Sequence, residues 1–390
     1  MGISHLLTAA LLVVGAPGTV SRPVLSPGEA AAFTPSAYLK WSGPYGAPVA
    51  DPWRPAPIRT ERADFVVGRG AFPTVQEAVN AAYRGGGTSR QWIAIRPGTY
   101  TGTVFIPGGA PPLTIYGVGD ARLEFTVDAT LTPAAWTALV NPDGRYAPGD
   151  PAWPMFQSCA TRTQTNAGLC ATVVWAQSTD LQLRNLTITN TLLDTVDGGT
   201  HQAVALRTDA DRTQLEAMRL IGRQDTFLAN ADDPARIARV TVSDSYIEGD
   251  TDFVFGRAST VFTRTHFRLV TSRKPTGGVI FAPNTAPRHP YGFLVTHSLL
   301  STDADAAAGY FGRSWDQGAS ATGYLPGVTP NGQLVIRDSL IGEGFRAETP
   351  WAPAATTGRP FTASIAPGRD LNDVTNNRLW EYRVQRLSPS

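Results

Sequence analysis

Two aspartates, Asp225 and Asp252, occupy the same place in an internal repeat of the 390-residue chain. Asp225 follows the apolar anchor Leu215 by ten residues, and Asp252 follows the anchor Val242 by ten. If the anchors sit on successive parallel coils, the two carboxylates emerge one above the other, about 4.8 Å apart. Negative charges that close cannot both ionise freely, so one carboxyl must keep its proton to higher pH. A carboxylic acid beside a carboxylate suits covalent or acid–base catalysis at neutral pH. Either Asp alone reads as an ordinary turn residue. In register they read as a site.

The elements that must hold them show in the apolar spacing. Leu183, Leu186 and Ile188 define a pattern that returns at Leu215, Met218 and Leu220, and at Val242, Ser245 and Ile247. Three more copies follow, at Phe262, Thr265 and Phe267, at Val295, Ser298 and Leu300, and at Ile336, Ser339 and Ile341. Read as six short strands with irregular separations, they suit an all-β solenoid whose coils carry insertions. A β-sandwich would place two-residue Asn-Gly or Asp-Gly turns between the runs, and those dipeptides fall mostly outside the repeats. Upstream, Thr74 caps a predicted short helix with Val75, Ala78, Val79 and Ala82 on its apolar face, stopped by Gly85, Gly86 and Gly87. Residues 127–170 break the pattern as a turn-rich excursion, and residues 19–62 read as a Pro/Ala-rich, extended lead-in to a catalytic domain over 63–390.

Composition limits the function classes. With 33 Lys+Arg against 32 Asp+Glu, no whole-protein field draws in nucleic acid or anionic lipid, although a few local cations could hold an acidic sugar. The 38 Gly and 31 Pro call for many turns. Residues 1–18 carry an apolar run from Leu6 to Val14, too short to span a bilayer, and read as a signal peptide, although no Lys or Arg precedes the run. No cysteine follows that run, so the expectation is a periplasmic, outer-membrane-associated or secreted protein and not a lipoprotein. Cys159 and Cys170 are either free thiols or, in an exported protein, a disulfide pinning the excursion. His201, His266, His289 and His297 lack metal-ligand spacing, and no Gly-rich phosphate loop opens a helix. Neither metal nor cofactor is expected.

Several segments now group together. They are His201 to Leu206, Gly222 to Phe227 around Asp225, Gly249 to Gly256 around Asp252, and Gly309 to Asp316. In this order they resemble the signature segments of the pectin methylesterases, and the likeness runs from about Phe65 to Tyr382. The resemblance implies a single-stranded right-handed parallel β-helix of the pectin lyase type, with a short N-terminal capping helix and long loop insertions. It also implies pectin or methylated oligogalacturonides as substrate, and a monomer working without a partner protein. By position, Asp252 matches the nucleophile, Asp225 the general acid and base, and Gln202 and Gln224 the amide donors to the oxyanion. Arg313 matches the partner of the nucleophilic carboxylate and Trp315 the floor under a sugar ring. Phe227, Phe253, Arg223 and Arg257 complete the expected substrate contacts. The chemistry is consistent: a guanidinium favours the charged form of its carboxylate, and each oxyanion donor is worth about 3 kcal/mol.

Departures point to a bacterial, envelope-associated branch of that family. Gly102 stands where a glutamate is usual after Gly98 and Tyr100, and Ser314 follows Arg313 in place of proline. The resemblance to that branch implies extra loops around the cleft and a preference for short oligomers. Some of its members lack the aspartates and are described as thioesterase-like; this chain keeps both. Four alternatives stay open. A retaining glycosidase also uses two close carboxylates, and a lyase would want calcium ligands that Glu248, Asp250 and Asp252 imitate. An esterase or thioesterase for another acyl group would use the same machinery, and the scaffold could belong to a non-catalytic carbohydrate-binding envelope protein.

Overall fold

The computed structural model describes residues 19–109, 111–304, 307–319, 321–364 and 370–387; the predicted signal segment, residues 1–18, lies outside them. Three parallel sheets of ten, nine and seven strands run along the helix, each inner strand pairing with the strand one coil earlier and one coil later. This is a parallel β-helix. The repeat anchors are its ruler: Leu183 lies opposite Leu215, Leu215 opposite Val242, and Val242 opposite Phe262, with Val295 and Ile336 continuing the row in the ten-stranded sheet. The last apolar residue of each copy stacks likewise in the nine-stranded sheet, from Ile188 through Leu220, Ile247, Phe267 and Leu300 to Ile341.

Each copy is therefore two strands around a corner, and not the single short strand expected from the spacing. Gln182–Arg184 and Thr187–Asn190 belong to different sheets, and Asn185 between them turns the chain with φ at 53°. Ala217, Asp244, Arg264, His297 and Asp338 repeat that left-handed turn. A non-glycine residue pays about 1–2 kcal/mol there, and each corner recovers a bond in exchange, the N–H of Ala217 donating to the Ser243 carbonyl and that of Asp244 to Thr263. Serine inside the corner has its own use. Ser245 Oγ accepts the Met218 N–H at 3.0 Å and Ser298 Oγ the Thr265 N–H at 3.1 Å, capping amides one coil back.

Inside the coils runs one apolar core, in which Phe262 meets Phe227, Phe267, Phe281 and Phe293. The helix Val75–Gly85 plugs its first end as predicted, with Thr74 accepting the Glu77 N–H and Val75, Ala78, Val79 and Ala82 buried. Residues 19–62 are only partly extended. They form the short helices Pro27–Ala30 and Pro35–Tyr38 and the antiparallel pair Trp41–Ser42 and Val49–Ala50. The segment straps the outer face of the ten-stranded sheet from the last coil, where the Leu25 N–H meets the Glu381 carbonyl, to the first, where Trp92 Nε1 donates to Arg59. Midway, fully buried Arg239 pairs with Asp51 of the strap and with Asp211.

The 127–170 excursion is a compact module on the outer face of the seven-stranded sheet. Its helices Pro133–Val140 and Trp153–Ala160 pack Trp136, Met155 and Phe156 onto Phe105 and Trp175 of that sheet. The disulfide between Cys159 and Cys170 closes it, which settles the choice the sequence left open.

Candidate active site

Three neighbouring strands of the seven-stranded sheet, Val204–Thr208, Phe227–Ala229 and Val254–Gly256, support the site. Phe227 lies opposite Val254, so two residues earlier Asp225 lies opposite Asp252, one strand spacing away. The Asp225 N–H donates to the Thr251 carbonyl at 3.0 Å and locks the two coils together there. Both aspartates have left-handed backbone, φ 67° and 47°, at the corner between the nine- and seven-stranded sheets. Alongside them, isolated bridges align Gln202 with Gln224 and Gln224 with Thr251. The equal ten-residue offsets thus did locate a real juxtaposition.

The two carboxyls have different surroundings. Arg313 grips Asp252 with a two-point contact, Nε to Oδ1 at 2.8 Å and Nη2 to Oδ2 at 2.6 Å. Asp225 has no such partner among the described residues; it is 3% exposed and accepts a bond from Gln202 Nε2 at 2.8 Å. Burial pushes its proton affinity well above the usual carboxylate range, and the neighbouring Asp252 charge pushes in the same direction. The Gln202 bond and Arg313 oppose that shift without cancelling it. The pair therefore combines a buried carboxyl of raised proton affinity with one bound at two points by arginine.

Gln202 has a second amide hydrogen beyond the one given to Asp225. Gln224 is oriented from the other end, its Oε1 accepting the His201 N–H at 2.9 Å, which turns its donor end away from that bond. The floor between the rims is apolar. Val204, Leu228, Phe255 and Ala282 form an outward cluster on this sheet, with Leu169 of the excursion and Trp315 packed against it. The Trp315 and Phe255 rings are 5.8 Å apart.

Three expected contacts need correction. Phe227 and Phe253 are 0% exposed and belong to the interior core, so neither touches a ligand. The corner residues break the two-residue alternation, and the outward positions fall at Leu228 and Phe255 instead. Arg223 is no free cation either, since Asp194 takes its Nε and Nη2 and Glu248 its Nη1. Arg257 is also engaged within the protein, with its Nη2 on Gln317 and its Nη1 on the Pro234 carbonyl. The calcium-like triplet dissolves for a related reason: Glu248, Asp250 and Asp252 are each bound by a separate arginine, Arg223, Arg273 and Arg313. One contributor left no signal in the repeat. Asp128 of the excursion reaches His201 Nδ1 at 2.6 Å.

Comparison with known proteins matches this architecture. The sequence profile of the Pectinesterase family matches residues 157–325. Pectinesterase B of Dickeya dadantii (strain 3937) is 52% identical over 95% of this chain and 91% of its own length. The "Putative acyl-CoA thioester hydrolase YbhC" of Escherichia coli (strain K12) is 42% identical over 94% of this chain and 88% of its own. The structure of rice weevil pectin methyl esterase superposes with a TM-score of 0.86 at 38% identity, covering 95% of this chain and 99% of that one. With a stacked aspartate pair on a parallel β-helix and relatives matched nearly end to end, this chain belongs to the pectinesterase family of carboxylic ester hydrolases.

Proposed function

We propose that the protein removes methyl esters from the C6 carboxyl of methylated galacturonate, with Asp252 as nucleophile and Asp225 as acid and base. The observation that carries this reading is the asymmetry of the pair: one carboxyl gripped at two points by Arg313, the other buried one coil away with its proton affinity raised by that burial. An Asp252 oxygen attacks the C6 carbonyl, and the oxyanion draws on the amide hydrogens of Gln202 and Gln224, about 3 kcal/mol per donor. Asp225 gives its proton to the departing methoxide, so methanol leaves and C6 stays joined to Asp252 as an acyl-enzyme. Ionised Asp225 next takes a proton from water, the hydroxide attacks C6, and the uronate leaves with Asp252 restored. Two neutral amide side chains beside the aspartates favour ester chemistry, since glycoside hydrolysis forms no oxyanion for them to hold.

The sugar chain is proposed to lie along the helix axis over Leu228 and Phe255, with Trp315 and Arg257 on one rim. The disulfide-closed module on the same sheet face walls one end, which favours short methylated oligogalacturonides over polymer. Pairing of Cys159 with Cys170 also supports an oxidising, extracytoplasmic location. The name of the Escherichia coli relative supports a second reading, hydrolysis of a thioester by the same residues. Methanol release from methylated oligogalacturonides and from pectin, beside thiol release from an acyl thioester, separates these. Turnover of the oligomers without new reducing ends is expected; thiol release alone would remove the pectin assignment.

A further inference from the structure

We propose that Asp128, supplied by the 127–170 module, is a positioning residue for the oxyanion amides and acts through His201. The inference rests on the reading of Gln202 and Gln224 as oxyanion donors. Asp128 Oδ2 lies 2.6 Å from His201 Nδ1, and its other oxygen accepts the Thr130 N–H at 2.9 Å, so both ends of the carboxylate are used. A carboxylate only accepts, so the ring must carry a hydrogen on Nδ1. On the far side of the ring, His201 Nε2 is 3.4 Å from Asp197. The ring is anchored through Nδ1 on Asp128, and the same residue's backbone N–H holds Gln224 Oε1 at 2.9 Å.

A second tie runs in parallel. The N–H of Ala129, the next residue of the module, donates to the Gln202 carbonyl at 3.0 Å. The Ala129 carbonyl accepts the Gly168 N–H at 3.2 Å, two residues before the bridged Cys170. Consecutive residues of one inserted segment therefore reach both glutamines, one through backbone and one through the His201 side chain. That arrangement suits a lock: an amide displaced by about 1 Å from the developing oxyanion loses roughly a hundredfold in rate while ground-state binding persists. The module that walls the cleft thereby also belongs to the apparatus that sets the rate.

The test is steady-state methanol release from a methylated oligogalacturonide by the full chain and its variants. Asp128→Ala should lower kcat roughly ten- to a hundredfold with KM within about twofold. Asp128→Asn, which keeps an acceptor for Nδ1, should recover most of that loss. In a Gln224→Ala background, Asp128→Ala should cost less than about threefold, because its route of action is already gone. Should Asp128→Ala not fold, His201→Ala carries the same comparison, since it removes the ring and keeps the backbone N–H. An unchanged kcat for Asp128→Ala beside an impaired Gln224→Ala overturns the proposal alone, as does an equal penalty in both backgrounds. A fully active Gln224→Ala overturns it together with the oxyanion reading.

Discussion

Replacing Asp225 by asparagine should make the fold more stable, relative to wild type, as pH rises. In the folded protein this carboxyl is 3% exposed and holds its proton well above the ordinary range, through burial first and the Asp252 charge second. In the unfolded chain it ionises near pH ~3.9. Below that pH both states are protonated, and the group leaves stability unchanged. Above it the unfolded chain has released a proton that the folded protein retains, so wild-type stability falls until the folded group ionises too. One retained proton corresponds to about 1.4 kcal/mol per pH unit. For 390 residues the entropy of unfolding is roughly 0.8 kcal/mol/K, so the slope is about 2 °C of Tm per unit. The Asp225→Asn variant is neutral in both states and keeps an oxygen for the Gln202 amide, so it lacks this loss. Calorimetric melting of both proteins from pH 4 upward should show the variant's advantage widening at about that slope until the folded Asp225 ionises. A Tm difference independent of pH would refute the assignment of Asp225 as the retained acid.

Other consequences are as direct. Arg313→Lys keeps the charge but loses the two-point grip on Asp252, and kcat/KM for methanol release should fall roughly a hundredfold; an unchanged value would remove Arg313 from the site. Trp315→Ala should raise KM for oligogalacturonides about tenfold with kcat within a few-fold, since the ring packs on the apolar floor cluster. Arg239→Met should cost about 2 kcal/mol in urea unfolding with kcat intact, because Asp51 and Asp211 lose their buried partner but keep some solvent.

The coil register was legible because the apolar anchors repeat with a fixed offset to each aspartate, and stacking preserves such offsets. The corners were not, because their left-handed positions carry residues as unremarkable as Ala217, Arg264 and His297. That gap led to the misplacement of Phe227 and Phe253: the corner at each aspartate turns the next aromatic inward, and Phe255 emerges instead. Arg223 looked available because its carboxylate Asp194 lies 29 residues away on another coil. The strap role of residues 19–62 was hidden for the same kind of reason, since its partners are single side chains such as Arg239 and Arg337 spread over many coils. Asp128 lies in an insertion with no repeat to measure against, so only the folded chain brings it to His201.

The central claim is that Asp252 attacks the ester and Asp225 completes the turnover. Rapid-quench methanol release from a methylated oligogalacturonide, with peptide-mass analysis of the quenched and digested protein, tests it most directly. Wild type should release methanol and carry a transient mass increase on the peptide containing Asp252, while Asp252→Ala should show neither. Methanol release at the wild-type rate by Asp252→Ala would contradict the account.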